Sequence, residues 1–119
     1  MKNELIARTK KFAVDVINFV NSIPYSQTSK VIINQLIRAA TSVGANYRAA
    51  QRAKSGADFS YKIKVVEEEA DETIYWLELI LEAKLLNDNT ITDELLKEAN
   101  ELTAIFSSIS IKLKSRKQN

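Results

Sequence analysis

The chain repeats one spacing from end to end. Leu5, Thr9, Phe12, Val16, Phe19 and Ile23 recur at intervals of four and three. Ile33, Leu36, Ala40, Val43, Tyr47 and Ala50 do the same. Phe59, Ile63, Val66, Ala70, Thr73, Leu77 and Ile80 form a third series, and Leu95, Ala99, Leu102, Phe106, Ile109 and Leu113 a fourth. Side chains so spaced lie along one face of an α-helix, and no segment alternates at the two-residue period of a half-buried strand. Turn residues interrupt the pattern at Pro24, at Gly56 and at Asn87–Asn89.

These observations predict an all-α fold in a single domain over residues 1–119, with helices at about 3–23, 29–53, 57–86 and 92–114. The connections are short, so neighbouring helices run antiparallel. An up-down-up-down four-helix bundle follows. Ser29 is the expected cap of the second helix, Ser55 or Asp58 of the third, and Thr92 with Asp93 and Glu94 opens the fourth. A third helix of that length would reach roughly 45 Å at 1.5 Å per residue, which makes the bundle a thin rod. Val14 and Ile17, Ile74 and Leu81, and Ile105 and Trp76 lie beside the seams. They either widen the core or meet another subunit. Trp76 is expected to anchor a helix or subunit contact. Gly44 is either a tolerated defect or a place where another backbone comes close.

With no Cys and no His among the 119 residues, thiolate, disulfide, imidazole and His- or Cys-ligated metal chemistry are excluded. No catalytic residue, metal ligand or cofactor is expected. Ser55 beside Lys54 and Ser115 beside Lys114 make weak Ser–Lys pairs with no implied pocket. Glu69 with Glu72, and Glu98 with Glu101, are i, i+3 pairs of the kind that hold Mg²⁺ in all-α nucleoside-triphosphate pyrophosphohydrolases. That enzyme is kept as an alternative. No window holds the roughly 18–20 apolar residues of a membrane span, and the N-terminus does not read as a secretory signal. A cytoplasmic protein without a membrane partner is expected.

The net charge of +2 conceals a separation. Residues 24–56 hold five bases and no acid, and residues 57–86 three bases and eight acids. Antiparallel topology puts residues 1–12, 48–64 and 110–119 at one end, with thirteen bases against two acids. Lys10, Lys11, Arg48, Arg52, Lys54, Lys112, Lys114 and Arg116 are the candidate polyanion-binding residues there, and Lys117 belongs to the same count. Tyr47 and Tyr61 lie near this end, at a spacing that suits core packing better than stacking on bases.

The stretch RAATSVGANYRAAQRAKSGADF at 38–59, followed by EADETIYWLELI at 69–80, resembles a known family. Arg38, Ser42, Asn46, Tyr47, Arg48, Arg52, Ala53, Ser55, Asp58 and Phe59 carry the first block. Ala70, Asp71, Glu72, Thr73, Tyr75, Trp76 and Leu77 carry the second. The chain is similar to the 23S rRNA-intervening-sequence proteins. That resemblance implies antiparallel four-helix bundles that close into homopentamers. A similar bundle serves as the accessory protein of diversity-generating retroelements, where a basic pentameric barrel engages nucleic acid and the reverse transcriptase. Glu68 stands before Glu69 and Ala70 where the family often has Lys, which makes this helix more acidic.

The expectation is therefore a non-enzymatic, self-associating bundle of unsettled role, pentameric by resemblance, acting as an interaction or nucleic-acid-associated protein, with nucleic acid or a nucleic-acid-handling protein as its partner. A protein scaffold with no nucleic-acid role is the other alternative. The candidate subunit interface comprises Arg38, Ser42, Asn46, Asp71, Glu72, Tyr75 and Trp76. The basic stripe through Arg38 and the acidic stripe of Glu67, Asp71, Glu78 and Glu82 suit a head-to-tail contact, or pairing within the bundle with Arg38 near Asp71 and Glu72.

Overall fold

The computed structural model describes residues 1–118, with side chains through Arg116. The side chain of Lys117 lies outside that range. Four helices follow one another: α1 Lys2–Val20, α2 Gln27–Ala50, α3 Gly56–Glu82 and α4 Thr90–Gln118. They form an antiparallel bundle measuring 50 × 24 × 21 Å. The described residues contain no strand.

The core is built from the predicted seams. Phe12, Val16, Leu36, Val43, Ile63, Leu77, Ile80, Leu102 and Phe106 are almost entirely enclosed. In α2 the first apolar turn is rotated from expectation, with Ile32 buried and Ile33 half-buried. Two buried hydroxyls turn back on their own helix: Thr9 donates to the Leu5 carbonyl at 2.7 Å and Thr73 to the Glu69 carbonyl at 2.8 Å.

The helix ends differ from expectation for local reasons. α1 stops at Val20, and tighter bonds from Ser22 to Phe19 and Ile23 to Val20 close the turn before Pro24. Ser26, not Ser29, caps α2. Its hydroxyl accepts from the Ser29 N–H at 2.9 Å while the Ser29 hydroxyl accepts from the Ser26 N–H at 2.8 Å. Ser55 caps α3 by accepting from the Asp58 N–H at 3.1 Å, and Asp58 accepts from the Lys54 N–H at 3.0 Å. α3 ends at Glu82, and Lys84 turns left-handed (φ 57°) as the Leu85 N–H reaches back to the Ile80 carbonyl. α4 starts two residues early, at Thr90, whose N–H and hydroxyl both donate to Asp88.

α2 packs most extensively on α3, and α3 on α4, while α1 and α4 touch least. Gly44 sits where α1 and α2 approach closely. A Cβ there would meet Thr9 Oγ1 at 3.3 Å and the Thr9 backbone at 3.4 Å. The backbone that comes close is thus the chain's own.

Candidate functional site

At the end shared by both termini, only some of the bases are free. Arg8 makes a two-pronged bond to Glu98 of α4, at 2.8 and 2.6 Å, and reaches Glu101 at 3.0 Å. Its guanidinium pKa is raised, chiefly by the Glu98 bond. Lys11 donates to Asp15 at 2.7 Å and lines the crevice between α1 and α4. Lys62 donates to both oxygens of Asp58 at 2.7 Å, and these bonds lead in holding that carboxyl below its usual range. Lys64 meets Glu67 at 3.2 Å.

Lys2, Lys10, Arg48, Arg52, Lys54, Lys112, Lys114 and Arg116 remain exposed, with no ion pair among the described residues. Of the candidate set, Lys11 alone is withdrawn. Lys10 and Arg48 flank one groove between α1 and α2, floored by Gly44 and Ala45. Arg52 and Lys54 stand on the α2–α3 turn, and Lys112, Lys114 and Arg116 on the last turns of α4. Arg8 opposite Glu98 and Glu101 puts Met1 level with roughly residue 107, so those last turns run past the start of α1.

The two tyrosines near this end part company. Tyr47 is 5% exposed and packs on Phe106, with ring centroids 5.3 Å apart. Burial pushes its hydroxyl pKa up. Tyr61 is 69% exposed and lines a groove between α3 and α4 with Lys64 and Lys114. The expectation of core packing therefore fails for Tyr61. The sequence held the signal: two residues from Ile63 is about 200° around a helix, which is the opposite face.

The candidate interface residues divide by exposure. Arg38, Asp71 and Tyr75 are exposed, while Ser42, Asn46, Glu72 and Trp76 are half-buried. Asn46 donates to the Ser42 carbonyl at 2.9 Å, and Trp76 Nε1 to Glu72 at 3.3 Å. Tyr75 stands edge-on to Trp76, centroids 5.0 Å apart. Trp76 is thus a half-buried shoulder of the core. The acid that burial perturbs here is Glu69, a residue outside the candidate set. Burial, then the neighbouring Glu72, pushes the Glu69 pKa up, against the pull of Arg38 and a Ser42 hydrogen bond. Its partners were legible only once α2 and α3 were in register.

The two acidic pairs of the pyrophosphohydrolase alternative do not converge. Glu98 and Glu101 are both bonded to Arg8 of α1, whereas Glu72 accepts from Trp76 of its own helix. Among the described residues no three acids gather as a metal site. Ser55 is occupied as a helix cap. No helix among those described is long and apolar enough to cross a membrane.

Fold and surface together define a small antiparallel four-helix bundle with a basic end. Over residues 1–108 the chain matches the model of the 23S rRNA-intervening sequence protein family, and it belongs to that family. A crystal structure from Bacteroides thetaiotaomicron VPI-5482, described as a protein with unknown function from the S23 ribosomal protein family, is similar to it. The two are 32% identical with a TM-score of 0.82, over 92% of this chain and 98% of the other. No curated protein matches the chain. The family and this relative carry no enzymatic assignment.

Proposed function

We propose that this protein is a non-catalytic, self-associating bundle that binds nucleic acid through its basic end. The observation that carries the reading is the group of eight exposed bases left without acidic partners at one pole. An unneutralised cluster of that size attracts a polyanion, and phosphate contacts release the counterions condensed on it. Nothing in the cluster resembles a base-reading helix, so contact is to phosphates and sequence matters little. Self-association, into a pentameric ring by the family resemblance, would multiply the cluster around one rim. Exposed Val31 and Tyr75, at 58% and 54%, support a lateral contact between copies.

The test is oligonucleotide binding over a salt series. For Z phosphate contacts, log K falls with log salt at a slope of about −0.9Z on duplex DNA. Reversing Arg48, Arg52 and Lys54 to Glu should flatten the slope, and so should removal of the chain from Lys112 onward. Reversing Lys30 and Lys84, toward the other end, should do little. Binding undetectable at about 50 mM salt, or equal loss from both ends, sinks the reading. A second reading, a protein scaffold, draws on the α1–α4 crevice. Exposed Ile91 lines it between Asp15, Glu94 and Glu98, which suits a basic amphipathic helix.

A further inference from the structure

We infer that the groove between α3 and α4 receives single-stranded nucleic acid, one base stacking on Tyr61 and the adjoining phosphates meeting Lys64 and Lys114. The inference rests on the nucleic-acid reading of the basic end and adds the form of strand and the contact that selects it.

Tyr61 carries the argument. It is 69% exposed in the second turn of α3, on the face opposite the core, so its ring is not committed to packing. Each of the other tyrosines is accounted for differently. Tyr47 is buried against Phe106, Tyr75 meets Trp76, and Tyr25 stands in the α1–α2 connection at the far end of the rod. Tyr61 is therefore the aromatic face that opens among the bases.

The groove around it has matching chemistry. Its volume is about 530 Å³ and it is open along one side. Lys114 is exposed and unpaired among the described residues, and Lys64 is shared with Glu67, the one acid of the lining, at 3.2 Å. Ser60, Ser107 and Ser110 supply hydroxyls. Ser110 Oγ is buried with no hydrogen-bond partner among the described residues. Ile111, 65% exposed, adds an apolar contact suited to a sugar or base edge.

Aromatic face, flanking cations and an open-sided groove are the elements of single-strand binding. A duplex keeps its base faces inside the stack, so Tyr61 could add nothing to duplex affinity. The selection is thus for strands whose bases are free.

The experiment uses the full chain and fluorescence anisotropy with four labelled probes: a short single strand as DNA, the same as RNA, an abasic DNA strand of equal length, and the matching duplex. Tyr61→Leu should weaken binding to base-bearing strands by about 5- to 150-fold and leave the abasic strand and the duplex unchanged. Tyr61→Phe should retain the affinity, since the ring is kept. Lys64→Gln with Lys114→Gln should weaken all four probes and flatten the salt dependence. Loss in Tyr61→Leu with either sugar supports the inference. If Tyr61→Leu binds both single strands as the parent does, the groove inference is overturned. The proposed function then still stands, provided reversal at Arg48, Arg52 and Lys54 removes binding. If no probe binds at low salt, both fail. The exposed position of Tyr61 keeps folding out of the comparison, and an unchanged Tm of the Leu variant verifies it.

Discussion

Glu69 shows how a single side chain is set by helices it does not belong to. From the sequence it is one acid in a run of three, Glu67 to Glu69. In the bundle it turns toward α2, where burial and Glu72 disfavour its charge more than Arg38 and Ser42 favour it. A carboxyl with a raised folded pKa is best tolerated when protonated. Its contribution to stability is most favourable below the usual glutamate value, declines as pH rises through the raised value, and is flat above. Glu69→Gln keeps an acceptor for Ser42 and removes that decline. The variant should therefore be more stable than the parent at neutral pH, with the gap closing as pH falls below the usual glutamate value. Urea denaturation at several pH values reads this directly, and a less stable variant at pH 7 would mean that Arg38 dominates the site. Other residue-scale features were open to the sequence. Lys11 with Asp15 and Lys62 with Asp58 are i, i+4 pairs. Arg8 with Glu98, ninety positions apart, was not.

At the scale of elements, the seams were legible because each helix buries one continuous face, and that face is written in the spacing of Leu5 to Ile23 or Ile63 to Ile80. The ends were less so. Ser26 and Ser29 are both good caps on composition, and only the reciprocal bonds decide which residue stands outside the helix. α4 runs past the expected position 114 to Gln118, where no breaker stops it. Gly44 was ambiguous because a small residue marks a close approach without naming the partner. With α1 as the partner, a β-branched side chain there must push against Thr9, whose Oγ1 lies 3.3 Å and whose backbone lies 3.4 Å from the first added carbon. Gly44→Val should cost about 1–3 kcal/mol, the usual range for overpacking, despite Val's better helix propensity. Thermal unfolding checks this, and a variant as stable as the parent would show that α1 shifts freely against α2. α1 also touches α4 least, so hydrogen exchange in α1 should be the first to rise.

At the scale of the molecule, a rod only 24 × 21 Å across has little room to hide apolar surface. The short turn between Ala50 and Gly56 sets the α2–α3 register, which puts Val31 level with roughly residue 75. Exposed Val31 and Tyr75, with half-buried Trp76 and Leu79, then share one end of the α2–α3 pair, away from the basic pole. Charged stripes on either side are solvent-exposed, and such pairs contribute little each. If copies associate through this patch, the contact is chiefly apolar and resists salt, whereas nucleic-acid binding at the opposite pole does not. Sedimentation equilibrium at micromolar concentration should therefore find a closed oligomer both at about 50 mM and at about 500 mM salt, while bound oligonucleotide is shed over the same interval. Val31→Glu with Tyr75→Glu should yield a monomer of unchanged helix content, because both side chains are already more than half exposed and the core beneath them is untouched. A monomer at both salt concentrations removes self-association altogether. An oligomer that comes apart at about 500 mM salt assigns the contact to the charged stripes of α2 and α3, and moves the interface off the Val31–Tyr75 patch.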